Sequence, residues 1–270
     1  MKQRLIGLLL YFGIRTICFS QEIPYITGNY FSLGLAIPIV KYLDKGHAPN
    51  IYKSSNGMTV NLSLNKITSN YFSKFSFNFT FATLSNRNKM LIYSSLSDFV
   101  NFHLSYQFAK SVYRDFNTIL YLGPKINLDF FGNNYQNLKS NNSFSFNNRI
   151  YLDANLVGQY RFSAVNYYAN SDHSISLINY DIRSKWNTLL PFDGITPISS
   201  PLKLIKYGKI ITFNKFLDIH HHFDLAYRDP KTKNYFDIAH NYQYSYNFNS
   251  PHPLYIGINN FGLEAHLIYR

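Results

Sequence analysis

The run Phe75-Ser76-Phe77-Asn78-Phe79-Thr80-Phe81 alternates aromatic and polar residues without a break. A strand sends successive side chains to opposite faces, so this run has one apolar surface and one hydroxyl/amide surface. The same alternation recurs along most of the chain, in segments of about ten residues. Whatever the chain folds into, its strands must set an apolar medium against a polar one.

Tracking parity predicts ten strands and two consistent faces. Apolar positions are Phe31, Leu33, Leu35, Ile37 and Ile39 in the first strand and Met58, Val60, Leu62 and Leu64 in the second. The Phe run is third, and Val100, Phe102, Leu104, Tyr106 and Phe108 mark the fourth. The fifth sets Ile126, Leu128 and Phe130 against Lys125, Asn127 and Asp129. The sixth sets Ile150, Leu152, Leu156 and Tyr160 against Arg149, Asp153, Gln159 and Arg161. The seventh, around Ile178–Ile182, alternates poorly. Regular alternation returns in Leu217–Arg228, in Phe236–Asn247 and in Phe261–Tyr269. The intervals 43–56, 84–97, 131–143, 184–215 and 248–259 are longer, and those between them mostly shorter. Lys203–Phe213 is a further strand candidate that would raise the count to twelve. Tyr42, Tyr71, Tyr113, Tyr227, Tyr235 and Phe248, at strand ends, are expected to form aromatic girdles.

The chain opens with a basic head, Met1-Lys2-Gln3-Arg4, an apolar core from Leu5 to Gly13, and Cys18-Phe19-Ser20 before Gln21. This is the anatomy of a secretory signal peptide, residues 1–20, followed by one domain over 21–270. Its removal would take away Cys18, the one cysteine, and exclude disulfide and thiolate chemistry from the mature chain. Nowhere is there the run of ~20 apolar residues that a membrane helix needs. With 24 Phe, 24 Tyr, 31 Asn and two Glu, the composition favours strands over helices. The formal charge is +12; without Lys2, Arg4 and Arg15, 23 basic residues face 14 acidic ones. The basic residues are scattered and form no nucleic-acid signature. A positive surface suits phosphate-rich lipid headgroups instead.

The last segment, Phe261-Gly-Leu-Glu-Ala-His-Leu-Ile-Tyr269-Arg270, alternates to its end and carries an aromatic beside the terminus. It resembles the closing strand of Gram-negative outer-membrane β-barrels, which the barrel-assembly machinery reads, although those usually end on the aromatic itself. The resemblance implies an all-β fold, a closed antiparallel up-and-down transmembrane barrel of ten strands, or twelve. It also implies an outer-membrane location in contact with outer-membrane lipids and lipopolysaccharide. A soluble secreted β-sandwich that binds a ligand is the competing architecture, since sandwiches alternate too.

The inward faces hold the groups with chemistry: Lys125, Asp129, Arg149, Asp153, Arg161, Asp218, His220, His222, Asp224, Arg228, Asp237 and Glu264. Charges in a narrow lumen must pair, because an isolated dehydrated charge is costly. Arg149, Asp153 and Arg161 stand ~13 and ~27 Å apart along one strand and need cross-strand partners, with Lys125 and Asp129 the candidates. In His220-His221-His222 only the outer two share the inward face, too few ligands for a metal without help from His266 or Glu264. His103 and Ser105 have the two-residue spacing of lipid hydrolases, but on the inward face. Tyr242–Asn247 followed by Pro253–Asn259 resembles the tail of lipid A deacylase barrels, with Tyr244 and Tyr246 where that family has its His and Ser. The expectation is a non-enzymatic envelope scaffold or narrow, porin-like channel with a charged lumen, without cofactor, metal or nucleic acid. An outer-membrane lipid hydrolase, degenerate at that tail, is the alternative.

Overall fold

The computed structural model describes residues 26–44, 48–86, 95–135, 144–162, 166–185, 190–191, 208–247 and 254–269. The expected signal peptide, Pro253 and Phe248 lie outside the described residues. Alternation does what it promises: nearly every described residue belongs to a strand. In chain order these are β1 Gly28–Asp44, β2 Ala48–Ile67, β3 Tyr71–Asn86, β4 Ser95–Arg114, β5 Thr118–Tyr135 and β6 Phe144–Arg161. They continue with β7 Tyr167–Lys185, β8 Leu190–Pro191, β9 Lys209–Thr212, β10 Phe216–Arg228, β11 Tyr235–Asn247 and β12 Leu254–Tyr269.

Neighbours pair antiparallel from β1 through β7, β7 pairs with β10, and β10 to β12 follow in order. β12 then closes on β1, from Asn29↔Tyr269 to Asp44↔Leu254. The result is a ring of ten strands without a free edge, which removes the β-sandwich from consideration. The Lys203–Phe213 candidate does not raise the count. Its described part, β9, pairs with Ile178–Asp181 of β7 and passes through a turn at Phe213–Lys215 into β10. It thus continues the lane of β10 rather than adding a wall.

Several expected intervals prove to be strand. β1 and β2 run to Asp44 and from Ala48, β7 begins at Tyr167, and β12 at Leu254. The irregular seventh strand has a physical cause. Leu152 pairs with Ile178 and Asp153 with Ser176, so Leu177 is an extra residue in a β-bulge. Leu177 and Ile178 both face outward, and the parity of β7 reverses between its two halves.

Both described ends of the chain and the turns after β2, β4, β6 and β10 lie at one end of the barrel, here the terminal end. The outer wall carries the apolar set the sequence predicts, with Ile37 71%, Ile238 68% and Leu263 66% exposed. The interior has three layers, of which the sequence indicated only the middle one. At the terminal end Tyr30, Ile67, Phe72, Ile119, Tyr121, Val157, Tyr168 and Tyr235 pack together inside the ring. At the far end Val40, Tyr42, Tyr52, Leu84, Phe99, Phe131, Leu254 and Ile256 do the same. Tyr42 and Tyr235 are therefore interior residues and not girdle residues; Tyr71, Tyr113 and Tyr227 do face outward. Between these apolar layers lies a polar waist.

Candidate functional site

The waist is organised around Asp129 of β5 and Asp218 of β10, both fully buried, which side chains from three other strands reach. His103 of β4 donates a ring N–H to Asp129 (Nδ1–Oδ1 2.5 Å). The Tyr151 hydroxyl of β6 and the Gln243 amide of β11 donate to the other Asp129 oxygen at 2.7 and 3.0 Å. His220 Nε2 sits 2.7 Å from Asp218 Oδ1 and 2.9 Å from the Tyr151 hydroxyl, which links the two carboxylates. Arg149 reaches Asp218 across the lumen at 3.3 Å and donates to the Ser245 hydroxyl at 2.6 Å. Ser245 in turn donates to Asp218. The Arg149 guanidinium also lies over the rings of Phe131 (4.6 Å) and Phe216 (5.5 Å). A charge this deep needs such partners, because desolvation outweighs any single contact.

The expected partner of Arg149 is thus corrected. Arg149 and Asp129 are in register, but His103, Tyr151 and Gln243 occupy the Asp129 carboxylate, and the arginine turns to Asp218. Lys125 is in register with Asp153 as expected, and Asp153 receives the Asn127 amide at 2.8 Å. Arg161 and Arg228 face the terminal end, where Arg228 Nε donates to the Lys233 carbonyl at 3.5 Å. They are not part of the waist network.

A second cluster lies nearer the terminal end. His222 Nε2 contacts Asp224 at 2.9 Å and its Nδ1 contacts Asn241. Asn170 donates to the other Asp224 oxygen at 2.6 Å. Beside this, His266 Nε2 lies 2.6 Å from Asp237 and 3.9 Å from Glu264, with its ring stacked on Tyr235 at 3.8 Å. Two cavities adjoin these clusters. One of about 90 Å³ is lined by Lys74, His103, Gln107, Lys125, Asp172 and Glu264, among others. One of about 50 Å³ touches Lys74, Asp172, His222, Asp224, Tyr235 and His266. Cavities of that size and polarity hold a few waters each.

The weak catalytic candidates behave as their parity indicated. His103 and Ser105 are buried in the lumen, with Ser105 hydrogen-bonded to Ser76 at 2.6 Å. A second pair with the same spacing, which parity did not indicate, lies on the outer wall. Ser171 and His173 of β7 both face outward, in register with Phe223 and His221 of β10. His173 and His221 meet Nδ1 to Nδ1 at 2.8 Å, and His240 of β11 lies next to them, ring centroid 6.2 Å from His221. Asn259 Oδ1 sits 2.5 Å from His240 Nε2. Position 240 has the same parity as Tyr242 and Tyr244, so that histidine was legible; His173 was hidden by the bulge.

No protein-family model and no curated protein matches the chain. Solved structures do. The outer membrane protease OmpT of Escherichia coli aligns with a TM-score of 0.51 at 10% identity, over 93% of this chain and 99% of that one. The translocator domain of the autotransporter NalP of Neisseria meningitidis aligns at 0.42 and 9% identity, over 100% and 95%. The attachment invasion locus protein Ail of Yersinia pestis aligns at 0.30 and 9% identity, over 89% and 99%. The fold is that of the Gram-negative outer-membrane β-barrels. At these identities the likeness extends to fold alone.

Proposed function

We propose that this chain is exported by its N-terminal signal, inserted into the outer membrane, and serves there as a closed, non-enzymatic envelope scaffold. One observation carries the reading: apolar layers inside the ring at both ends flank a hydrogen-bonded waist, beside which, among the described residues, lie cavities of about 90 and 50 Å³. An open pore needs a continuous wet path, and buried aromatics such as Tyr121, Phe99 and Phe131 stand against one. This favours the scaffold over the narrow channel. The outward apolar wall suits lipids and lipopolysaccharide, and the closing strand β12 suits the barrel-assembly machinery. Planar-bilayer recording tests the proposal. Silence is expected from the purified protein, and discrete single-channel steps would establish the channel instead.

A second reading, a lipid hydrolase, draws on the outward Ser171 and His173, with His221 holding the His173 ring. A nucleophile near its base on the lipid-facing wall is the arrangement such chemistry uses. Release of fatty acid from phospholipid or lipid A that disappears in Ser171→Ala would establish it.

A further inference from the structure

We propose that Asp237, Glu264 and His266 form a binding site for a divalent transition-metal ion, of the Zn²⁺ type, inside the barrel. This goes beyond the scaffold reading and does not depend on it. One ligand atom from each of the three lies within 4.8 Å of the others, and all three residues are buried. The strand register brings them together: Asp237 of β11 is directly opposite Glu264 of β12, and His266 follows two residues later on the same inward face.

The donor atoms lie within reach of one ion. His266 Nε2 is hydrogen-bonded to Asp237 Oδ2 at 2.6 Å and stands 3.9 Å from Glu264 Oε2. Ligands at about 2.0–2.2 Å from a tetrahedral Zn²⁺ stand roughly 3.3–3.5 Å apart. An ion would therefore replace the His266–Asp237 hydrogen bond, parting that pair by just under 1 Å and drawing Glu264 in by about half as much. One imidazole with two carboxylates is a donor set that suits Zn²⁺ better than Ca²⁺ or Mg²⁺, which take oxygen alone.

Two of the ligands are also held by their other atom, as metal ligands usually are. The Ser32 hydroxyl meets His266 Nδ1 at 2.6 Å, and Asn65 donates to Ser32 at 2.7 Å. Asn61 donates to Glu264 Oε1 at 2.9 Å and leaves Oε2 for the metal. Gly34 makes room for that pose, since a Cβ there would stand 2.6 Å from Glu264 Cγ.

Asp237 points to a missing ligand. It is 4% exposed, and its Oδ1 has no hydrogen-bond partner among the described residues. A buried carboxylate oxygen left bare is costly, and a cation removes that cost. Asp224 is not available as a fourth ligand, because His222 and Asn170 already occupy its two oxygens. The site instead adjoins both cavities, one touching Glu264 and the other His266, so water completes the coordination.

The test uses the full-length mature protein folded in detergent, stripped of metal and dialysed against Zn²⁺. Because His173, His221 and His240 cluster on the outer wall and would compete for zinc, the background is their triple Ala variant. One equivalent of Zn²⁺ per chain is expected in that background. Asp237→Asn and Glu264→Gln should each weaken it at least tenfold, and Ser32→Ala ten- to a hundredfold through loss of the His266 support. Should those ligand variants not fold, the triple Ala background alone decides: Zn²⁺, and not Mg²⁺, should raise the temperature at which its heat-modifiable gel band converts. No bound zinc in the triple variant, zinc unaffected by Asp237→Asn, or equal effects of Zn²⁺ and Mg²⁺ would each overturn the proposal.

Discussion

Arg149 shows how far a single residue can be read. Its inward direction and its need for a partner follow from parity and from the cost of a buried charge. Its choice of Asp218 over the in-register Asp129 does not, because that depends on Tyr151, Gln243 and His103 arriving from three strands to fill Asp129. Removing Asp218 therefore leaves Arg149 without its carboxylate, and Asp218→Ala is expected to cost about 3–5 kcal/mol. Asp153→Ala, whose carboxylate takes an amide from Asn127, should cost less. Replacing Arg149 by Met together with Asp218→Ala should recover much of the loss, since a buried pair is often replaceable by apolar groups. Urea unfolding in detergent micelles or vesicles checks the series. Equal losses from Asp218→Ala and Asp153→Ala would mean that the waist is wet and its charges are screened.

Among the elements, regular strands were legible and interrupted ones were not. β1 and β3 follow their predicted parity throughout, and β2 and β4 do so over 57–66 and 100–108, because one residue in two meets the apolar medium. Register shifts at Ser54/Asn56 and Ser111/Tyr113 reverse it past those points. β7 defeated the pattern through one extra residue, Leu177, and the apolar layers at the ends escaped it because their aromatics, such as Tyr121 and Phe131, occupy polar-face positions. Local tightness was equally invisible. The ladder between β4 and β5 breaks at Gly123-Pro124, where a Cβ on Gly123 would stand 2.0 Å from the Phe108 carbonyl oxygen. Gly123→Ala is expected to force the two backbones apart and destabilise by about 1–3 kcal/mol, read by urea unfolding. In the β10–β11 turn, Asp229 takes the Thr232 hydroxyl at 2.6 Å and the Lys231 amide at 3.1 Å. These bonds hold its carboxyl below the ordinary carboxylate range, the Thr232 hydroxyl most of all. A depressed carboxyl contributes above its unfolded value of about 3.9, and the contribution is lost as pH falls through the folded value. Amide exchange at Lys231 and Thr232, corrected for intrinsic rates, should therefore speed up below about pH 4. Asp229→Asn should remove that pH dependence.

At the scale of the whole molecule, the outer wall decides what surrounds the barrel. Along β1 the outward residues run Phe31, Leu33, Leu35, Ile37 and Ile39 between the polar positions Asn29 and Lys41. From Phe31 to Ile39 is about 26 Å of strand, or roughly 20 Å of height once tilted as barrel strands are. That is close to the ~25 Å apolar band of outer-membrane barrels. Soluble monomers do not present such a continuous belt, so the mature protein should be monodisperse in detergent alone, with migration that changes on boiling. The position of the bilayer then makes a sharper prediction. Arginine placed on the lipid face costs about 2–4 kcal/mol at the midplane and about 0–1 near the interfaces. Leu35→Arg, at the centre of the belt, should therefore destabilise the vesicle-inserted protein most. Phe31→Arg and Ile39→Arg, compared after subtracting the matching Ala variants, should each cost less, because a long cationic side chain there reaches the headgroups. Unfolding by urea from vesicles of defined thickness gives the three values. A peak at Leu35 places the bilayer on this belt, whereas a flat profile along β1 would mean that the belt meets something other than lipid.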